Sequence, residues 1–159
     1  MITYFPLFFN MEDREIRVFG GGNIATRRVK MLLEFGAKVS VAAPQITEEL
    51  ENLAQQQEKL SLEYRRYHCG ELTREWLVLA VTDDLDVNDM IFEECRKKQI
   101  FVNVASDKEK CDFYFPGIAR VGNITVGVTA GGTNHHKAAQ ITEKIRGQLS
   151  EWEEERERS

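Results

Sequence analysis

The sequence predicts an α/β protein, in which a doubly wound parallel sheet is followed by a small β-hairpin and a helix. Over the first 111 residues, short β-prone runs alternate with stretches of helical periodicity, and a glycine turn at 20–22 joins the first strand to the first helix. After Cys111 the pattern changes to two short alternating runs and a last helix. We therefore expect one domain over 1–111 and an appended segment over 112–159.

The first three elements form a βαβ unit. Residues 16–19 (IRVF) are a short strand, 23–35 have the composition of a helix, and Gly36 lies where a helix C-cap glycine belongs. The run 38–43 (KVSVAA) is a second strand, and Pro44 ends it. Because parallel crossovers are nearly always right-handed, this unit predicts a helix packed on one face of the sheet.

The rest of the chain continues the alternation. Thr47, followed by two glutamates, begins a second helix. In a third helix, the residues near helical spacing are Val87, Met90, Ile91 and Glu94. The remaining predicted elements are strands at 60–65, 76–81 and 100–105, the third helix at 86–98, a hairpin within 118–129 and a last helix from about His135.

Composition limits the classes of function. The 159 residues carry 26 acidic and 21 basic side chains, a net charge of −5, so no overall field attracts nucleic acid or an anionic membrane. Three widely spaced cysteines predict reduced thiols, and we find neither a signal peptide nor a run of about 18 apolar residues that would cross a membrane. These features predict a cytoplasmic protein.

The glycine turn fits the dinucleotide-binding pattern of a Rossmann-like domain. Gly20, Gly22 and Ala25 follow the spacing G-x-G-x-x-[G/A] directly after a strand and at the start of a helix. The first glycine permits a tight turn, the second lets the backbone approach a pyrophosphate, and the helix N-terminus offers N–H groups to the anion. The alternative is a doubly wound fold that keeps the turn and binds no nucleotide.

The end of the second strand bears on the choice of cofactor. An acidic residue that would hold the adenosine ribose is expected there, but the sequence has Ala42, Ala43, Pro44 and Gln45. No arginine stands there for a 2′-phosphate either. Gln45 and the backbone near Pro44 could contact the ribose, so NAD is the simpler expectation.

Several segments together resemble one known family. They are YFPLFF, VFGGGNIATRRVKMLLEFGAKVSVAAP, LAVTDDLDVN, VNVASDKEKCDFYFPG and ITVGVTAGGT, spread over roughly residues 1–146. In order and spacing they resemble the precorrin-2 dehydrogenase and sirohydrochlorin ferrochelatase family of siroheme biosynthesis (siroheme synthase N-terminal-like). The resemblance implies an NAD-binding Rossmann-like domain and a dimerisation segment that intertwines two chains, hence a homodimer.

The resemblance also implies a reaction and a set of site residues. Precorrin-2 would lose one hydrogen as hydride to NAD⁺ and one as a proton, giving sirohydrochlorin, and some members then insert Fe²⁺ or Co²⁺. Carried over by position, the cofactor contacts are Gly22, Asn23, Ile24, Pro44 and Gln45, with Gly20 in the turn and Thr82 and Asp83 nearby. Asp83 and Asp84 are equally well explained as a loop that caps the following helix.

Two departures from the family pattern concern the catalytic groups. Members usually carry an aspartate after N-V-V, where this chain has Ser106 followed by Asp107, and the serine before Gly-Gly is Ala130 here. We assign Asp107 as the proton acceptor. Metal ligands are not assigned.

Other charged or ligating residues have ordinary explanations. His135 and His136 are expected to be polar residues at a helix start, although in a dimer they could contribute to metal handling. The cluster of Arg27, Arg28 and Lys30 fits a solvated helix face better than a site for the substrate's carboxylates.

The sequence therefore predicts NAD-dependent dehydrogenation of precorrin-2, with ferrochelatase activity as a possible addition. One alternative is a tetrapyrrole chelatase or carrier without redox activity, suggested by Ser106, Ala130 and the histidine pair. The other is an NAD-sensing regulatory module with the same fold.

Overall fold

The computed structural model describes residues 4–131 and 134–157, without the side chains of His135 and of 155–157. By their contacts these residues form two compact units. We call 9–113 the sheet unit, and 4–8 together with 114–157 the hairpin unit.

The sheet unit contains a five-stranded parallel sheet. Its strands are β1 (Glu15–Phe19), β2 (Lys38–Ala42), β3 (Leu60–Glu63), β4 (Leu77–Ala80) and β5 (Phe101–Val104). Their order is β3-β2-β1-β4-β5, so β2 and β3 lie on one side of β1, and β4 and β5 lie on the other. The predicted doubly wound α/β fold is confirmed.

Three helices connect the strands: α1 (Asn23–Glu34), α2 (Glu48–Gln56) and α3 (Leu85–Lys98). The strand order reverses between the β1-α1-β2 and β4-α3-β5 crossovers, so right-handed connections place α1 and α3 on opposite faces. A short 3₁₀ helix at Lys108–Lys110 follows β5. Gly36 has φ +83°, as the predicted helix-ending glycine requires.

One hydrophobic core lies between α3 and the sheet. Phe19, Val78 and Val102 contribute from the strands, and Ile91 and Cys95 from the helix, all fully buried. Burial raises the pKa of the Cys95 thiol to about 12, so this cysteine is a core residue and is not a reactive thiolate at neutral pH.

The buried face of α3 differs from the sequence expectation. Met90 is 46% exposed, whereas Asn88, Ile91 and Cys95 are fully buried. These three follow helical spacing of three and four residues, so the buried stripe includes Asn88, which the sequence analysis did not name, and leaves out Met90.

The hairpin unit consists of antiparallel strands β6 (Gly117–Val121) and β7 (Ile124–Val128) and the helix α4 (His135–Glu157). The helix approaches the hairpin closely at Gly117, where a Cβ would lie 2.2 Å from Thr142 Oγ1. The Tyr4 hydroxyl donates to the Tyr114 hydroxyl at 2.9 Å. Within the described ranges, no helix has the length and apolarity needed to cross a membrane.

Candidate functional site

The glycine turn connects β1 to α1 at the carboxyl edge of the sheet. Gly20 has φ +117°, and a Cβ there would lie 2.4 Å from the carbonyl oxygen of Val81, just after β4. Its N–H donates to the carbonyl of Ala42 at 3.0 Å. Only glycine combines this backbone conformation with this approach, so Gly20 forms the tight turn that the motif predicts.

Gly22 is the N-cap of α1 and faces open space. Among the described residues, no atom lies within 4 Å of the position a Cβ would take. The first turn of α1, described in full, has no acidic side chain, and Asn23 and Ile24 are exposed. Because an anion can approach the unshielded N–H groups at this helix end, the residues present fit the pyrophosphate of a dinucleotide.

The loop after β2 packs against the glycine turn. A Cβ on Gly21 would lie 2.4 Å from the carbonyl oxygen of Gln45, and the Thr47 N–H donates to the Gly21 carbonyl at 3.0 Å. The hydroxyls of Thr26 and Thr47 are 2.8 Å apart. These contacts place the exposed side chains of Pro44 and Gln45 beside the turn. Their contact with the cofactor stays a prediction.

The loop after β4 lies next to the same turn. The hydroxyl of Thr82 is 2.8 Å from Asn88 Oδ1 and 2.9 Å from the Asp84 carbonyl oxygen. Asp84 accepts from the N–H groups of Asp86 and Val87, so it caps α3. Asp83 and Asp84 are both exposed, and the cap uses only Oδ1 of Asp84, so both aspartates present carboxylate oxygen to solvent.

Ser106 and Asp107 follow β5 at the same edge. The Ser106 hydroxyl accepts from Asn88 Nδ2 at 3.4 Å. The Asp107 carboxylate accepts from the Glu109 N–H at 3.0 Å and lies 3.7 Å from Lys110 Nζ. With its side chain 39% exposed, Asp107 caps the 3₁₀ helix and still presents carboxylate oxygen to solvent.

Arg28 links α1 to β5. Its guanidinium donates to Asn103 Oδ1 at 2.7 Å, and Asn103 Nδ2 donates to the Phe113 carbonyl at 2.7 Å. Burial lowers the pKa of Arg28 and raises that of the Cys111 thiol. Arg28 is therefore a structural contact of the α1 face, unlike its exposed neighbour Arg27.

The other residues considered from the sequence lie outside this site or outside the described residues. Lys30 pairs with Glu49, and His136 is exposed on α4. Gly132, Thr133 and the side chain of His135 lie outside the described residues. Within the described part of the chain, no three His, Cys, Asp or Glu side chains form a group that could hold a metal ion.

Asn88 and the Thr26–Thr47 pair are site features that the sequence analysis missed. Asn88 is fully buried and joins the ends of β4 and β5 through its amide. Its spacing with Ile91 and Cys95 was the available signal, since a polar residue within a buried stripe needs polar partners. Nothing local in the sequence indicates that the two threonines meet.

Fold and site together define a dinucleotide-binding α/β protein. Residues 7–117 match a family model described as "Putative NAD(P)-binding", which spans most of the chain. The chain belongs to this NAD(P)-binding family, and the predicted nicotinamide dinucleotide cofactor is confirmed at that level.

The relatives extend the resemblance found in the sequence. The chain is 38% identical over 145 residues to a "Probable multifunctional siroheme biosynthesis protein HemA" of Ruminiclostridium josui, covering 89% of this chain and 28% of the relative. It is 34% identical over 148 residues to a siroheme synthase of Mannheimia succiniciproducens, covering 93% and 31%. The chain thus spans about three-tenths of these proteins. The predicted resemblance to siroheme-biosynthesis proteins is confirmed.

A solved structure shares the fold. SirC, a precorrin-2 dehydrogenase, superposes with a TM-score of 0.73 at 24% identity, covering 93% of this chain and 70% of that one. At this identity the likeness concerns the fold.

Proposed function

We propose that this protein catalyses the NAD-dependent dehydrogenation of precorrin-2 to sirohydrochlorin. The observation that carries the proposal is the open N-terminus of α1 at Gly22, within a chain that aligns over nine-tenths of its length with siroheme synthase. The named activity of the SirC structure agrees with it.

The proposed cofactor site follows the carboxyl edge of the sheet. The N–H groups after Gly22, at Asn23 and Ile24, would hold the pyrophosphate, and Pro44 and Gln45 would contact the adenosine ribose. Thr82 and Asp83 would lie toward the reacting end. When bound, NAD⁺ supplies the acceptor for the electron pair and one of the two hydrogens that leave precorrin-2.

The protein's own chemical task is to accept the second hydrogen as a proton. Asp107 is the proposed acceptor, because its carboxylate lies at the carboxyl edge of β5 and remains partly exposed. The Glu109 N–H holds one oxygen and Lys110 lies 3.7 Å from the other. These contacts fix the carboxylate's orientation, as a positioned proton acceptor requires.

NAD is the proposed cofactor in preference to NADP. The residues after β2 are uncharged, and Pro44 and Gln45 offer no cation to a 2′-phosphate. Arg65, the first basic residue after β3, is engaged with Glu63 and Glu71. The 2′-phosphate of NADP would therefore find no cation to pair with in the loop after β2.

A homodimer formed through the hairpin unit is part of the proposal. Phe5, Leu7 and Phe8 are 80%, 63% and 76% exposed, and together they form an apolar strip near the start of the chain. Such a strip is typical of an interaction surface. We further propose action in the cytoplasm, since Cys69, Cys95 and Cys111 are all free thiols.

Three incubations separate this proposal from its alternatives. Purified protein is mixed anaerobically with precorrin-2 and NAD⁺, with precorrin-2 alone, and with sirohydrochlorin and Co²⁺. Sirohydrochlorin formation that requires NAD⁺ supports the dehydrogenase, and additional cobalt insertion would add chelatase activity. Metal insertion without oxidation would establish the chelatase instead. No tetrapyrrole chemistry in any incubation, together with NADH binding in a separate fluorescence titration, would establish the sensor.

A further inference from the structure

A single buried amide joins the two strand ends that border the proposed cofactor site. Asn88 has no exposed surface and lies in the first turns of α3. Its Oδ1 accepts from the Thr82 N–H at 3.2 Å and lies 2.8 Å from the Thr82 hydroxyl. Its Nδ2 donates to the Thr82 carbonyl at 3.0 Å and to the Ser106 hydroxyl at 3.4 Å.

These contacts define the conformation of the loop after β4. Thr82 offers three polar groups, its N–H, carbonyl and hydroxyl, and Asn88 contacts all of them. The Thr82 hydroxyl also accepts from the Asp84 N–H at 3.2 Å, which orders the next two residues. The loop therefore depends on one side chain of α3.

The placement of an amide at this position is not explained by packing. Asn88 shares its face of α3 with Ile91 and Cys95. An apolar residue in its place would avoid the cost of desolvating the amide, which has two donor and two acceptor sites. The amide contributes a fixed arrangement of hydrogen bonds, and both ends of that arrangement lie at the carboxyl edge where open α/β sheets bind ligands.

We propose that Asn88 is a positioning residue, which holds Thr82 and Ser106 in the arrangement that the nicotinamide half of NAD requires. This inference rests on the proposed function, since it assumes that the cofactor lies along this edge. Asn88 itself, being fully buried, acts through the loop and does not touch the cofactor.

The test compares two buried asparagines. Asn103 is 2% exposed, and its side chain bonds to Arg28 and to the Phe113 carbonyl. NADH affinity is measured by fluorescence titration, and the exchange rate of the Thr82 amide hydrogen by NMR or mass spectrometry. The control for both measurements is Asn103→Ala, compared with Asn88→Ala at equal thermal stability. Relative to this control, we expect Asn88→Ala to bind NADH at least tenfold more weakly and to exchange the Thr82 amide hydrogen at least tenfold faster.

A second variant serves if Asn88→Ala fails to fold. Asn88→Asp keeps the side-chain shape and both acceptor contacts with Thr82 but loses the two amide donor contacts. We expect it to retain a protected Thr82 amide and to weaken NADH binding severalfold. The double variant of Asn88→Asp and Thr82→Val should lose less NADH affinity than the product of the two single losses, because both substitutions act through the same loop.

Equal NADH affinity in wild type, Asn88→Ala and Asn103→Ala would overturn the inference. It would also be overturned if the double variant lost NADH affinity by the full product of the two single losses. The test is independent of precorrin-2. If wild type binds NADH but does not oxidise precorrin-2, the proposed reaction fails while the Asn88 result stands. If wild type binds no NADH, both fail.

Discussion

At the scale of single residues, Asp107 is the group on which the proposed chemistry depends. Asp107→Ala removes the proposed proton acceptor and leaves the glycine turn unchanged, so we expect turnover to fall at least tenfold while NAD affinity stays within twofold of wild type. Steady-state kinetics and NADH titration measure the two quantities. Lys108→Ala, in the same exposed turn, is the control and should retain activity. Turnover of Asp107→Ala equal to that of the control would remove Asp107 from the mechanism.

Two glycines of the same turn should respond differently to the same change. Gly22 has φ −82° and open space at its Cβ position, so Gly22→Ala should fold normally. The added methyl group would occupy the space through which the pyrophosphate approaches, so NAD binding should weaken about tenfold, or by about 1.4 kcal/mol. Gly20→Ala meets Val81 at positive φ and should lower the free energy of unfolding by about 3 kcal/mol. Thermal unfolding and NADH titration of both variants check this. Normal NAD affinity in Gly22→Ala would place the cofactor elsewhere.

Residue types and spacing predicted part of this site and could not predict the rest. Gly20 and Gly22 were predictable because their roles depend on backbone freedom within one turn. The role of Asp84 as the cap of α3 was one of two open explanations. Asn88 was missed because its partners, Thr82 and Ser106, come together only once β4 and β5 are paired. The spacing of Asn88 with Ile91 and Cys95 indicated a buried polar residue, but it did not identify the partners of that residue.

At the scale of elements, the alternation of strands and helices was predictable, and the register of one helix was not. Right-handed crossovers and short connections restrict a strand-helix alternation to few topologies, so the parallel sheet followed from the pattern. In α3 the apolar residues are too few to define its buried face unambiguously. The fully buried Ile91 and the 46% exposed Met90 are adjacent, and only packing against β4 and β5 distinguishes them.

A charge cluster beside β3 predicts how the sheet unit responds to acid. The Arg17 guanidinium, which donates to Glu63 at 2.5 Å, is the main cause that lowers the pKa of Glu63 to about 2. Since the folded-state pKa lies below the ordinary value of 4.5, this carboxylate stabilises the fold above that value. Its contribution is lost progressively as pH falls from about 4.5 toward about 2.

We therefore expect Glu63→Gln to flatten the acid side of the stability profile. Chemical denaturation between pH 2 and pH 6 measures the free energy of unfolding of wild type and variant. The two curves should converge toward pH 2, with the variant less stable at pH 6. Because Glu63 is partly exposed, solvent screening keeps the difference small. Parallel curves across this range would show that Glu63 is not stabilised by its arginine neighbours.

At the scale of the whole molecule, we expect association through the apolar strip of the hairpin unit. Sedimentation equilibrium should give a mass twice the 18.3 kDa of one chain. Leu7 and Leu85 are both 63% exposed, the first in the strip and the second at the start of α3. Leu7→Ser should raise the dimer dissociation constant at least tenfold and Leu85→Ser should leave it unchanged, because only the first removes interface area. A monomeric wild type would contradict the dimer.

The central claim is that oxidation of precorrin-2 is coupled to reduction of NAD⁺ by this chain. The most direct measurement follows NADH and sirohydrochlorin together by absorbance, with purified protein, NAD⁺ and anaerobically generated precorrin-2. We predict that one NADH appears for each sirohydrochlorin, with far slower formation when NADP⁺ replaces NAD⁺. Tetrapyrrole binding with no NADH, or sirohydrochlorin formed at the same rate without NAD⁺, would contradict the assignment.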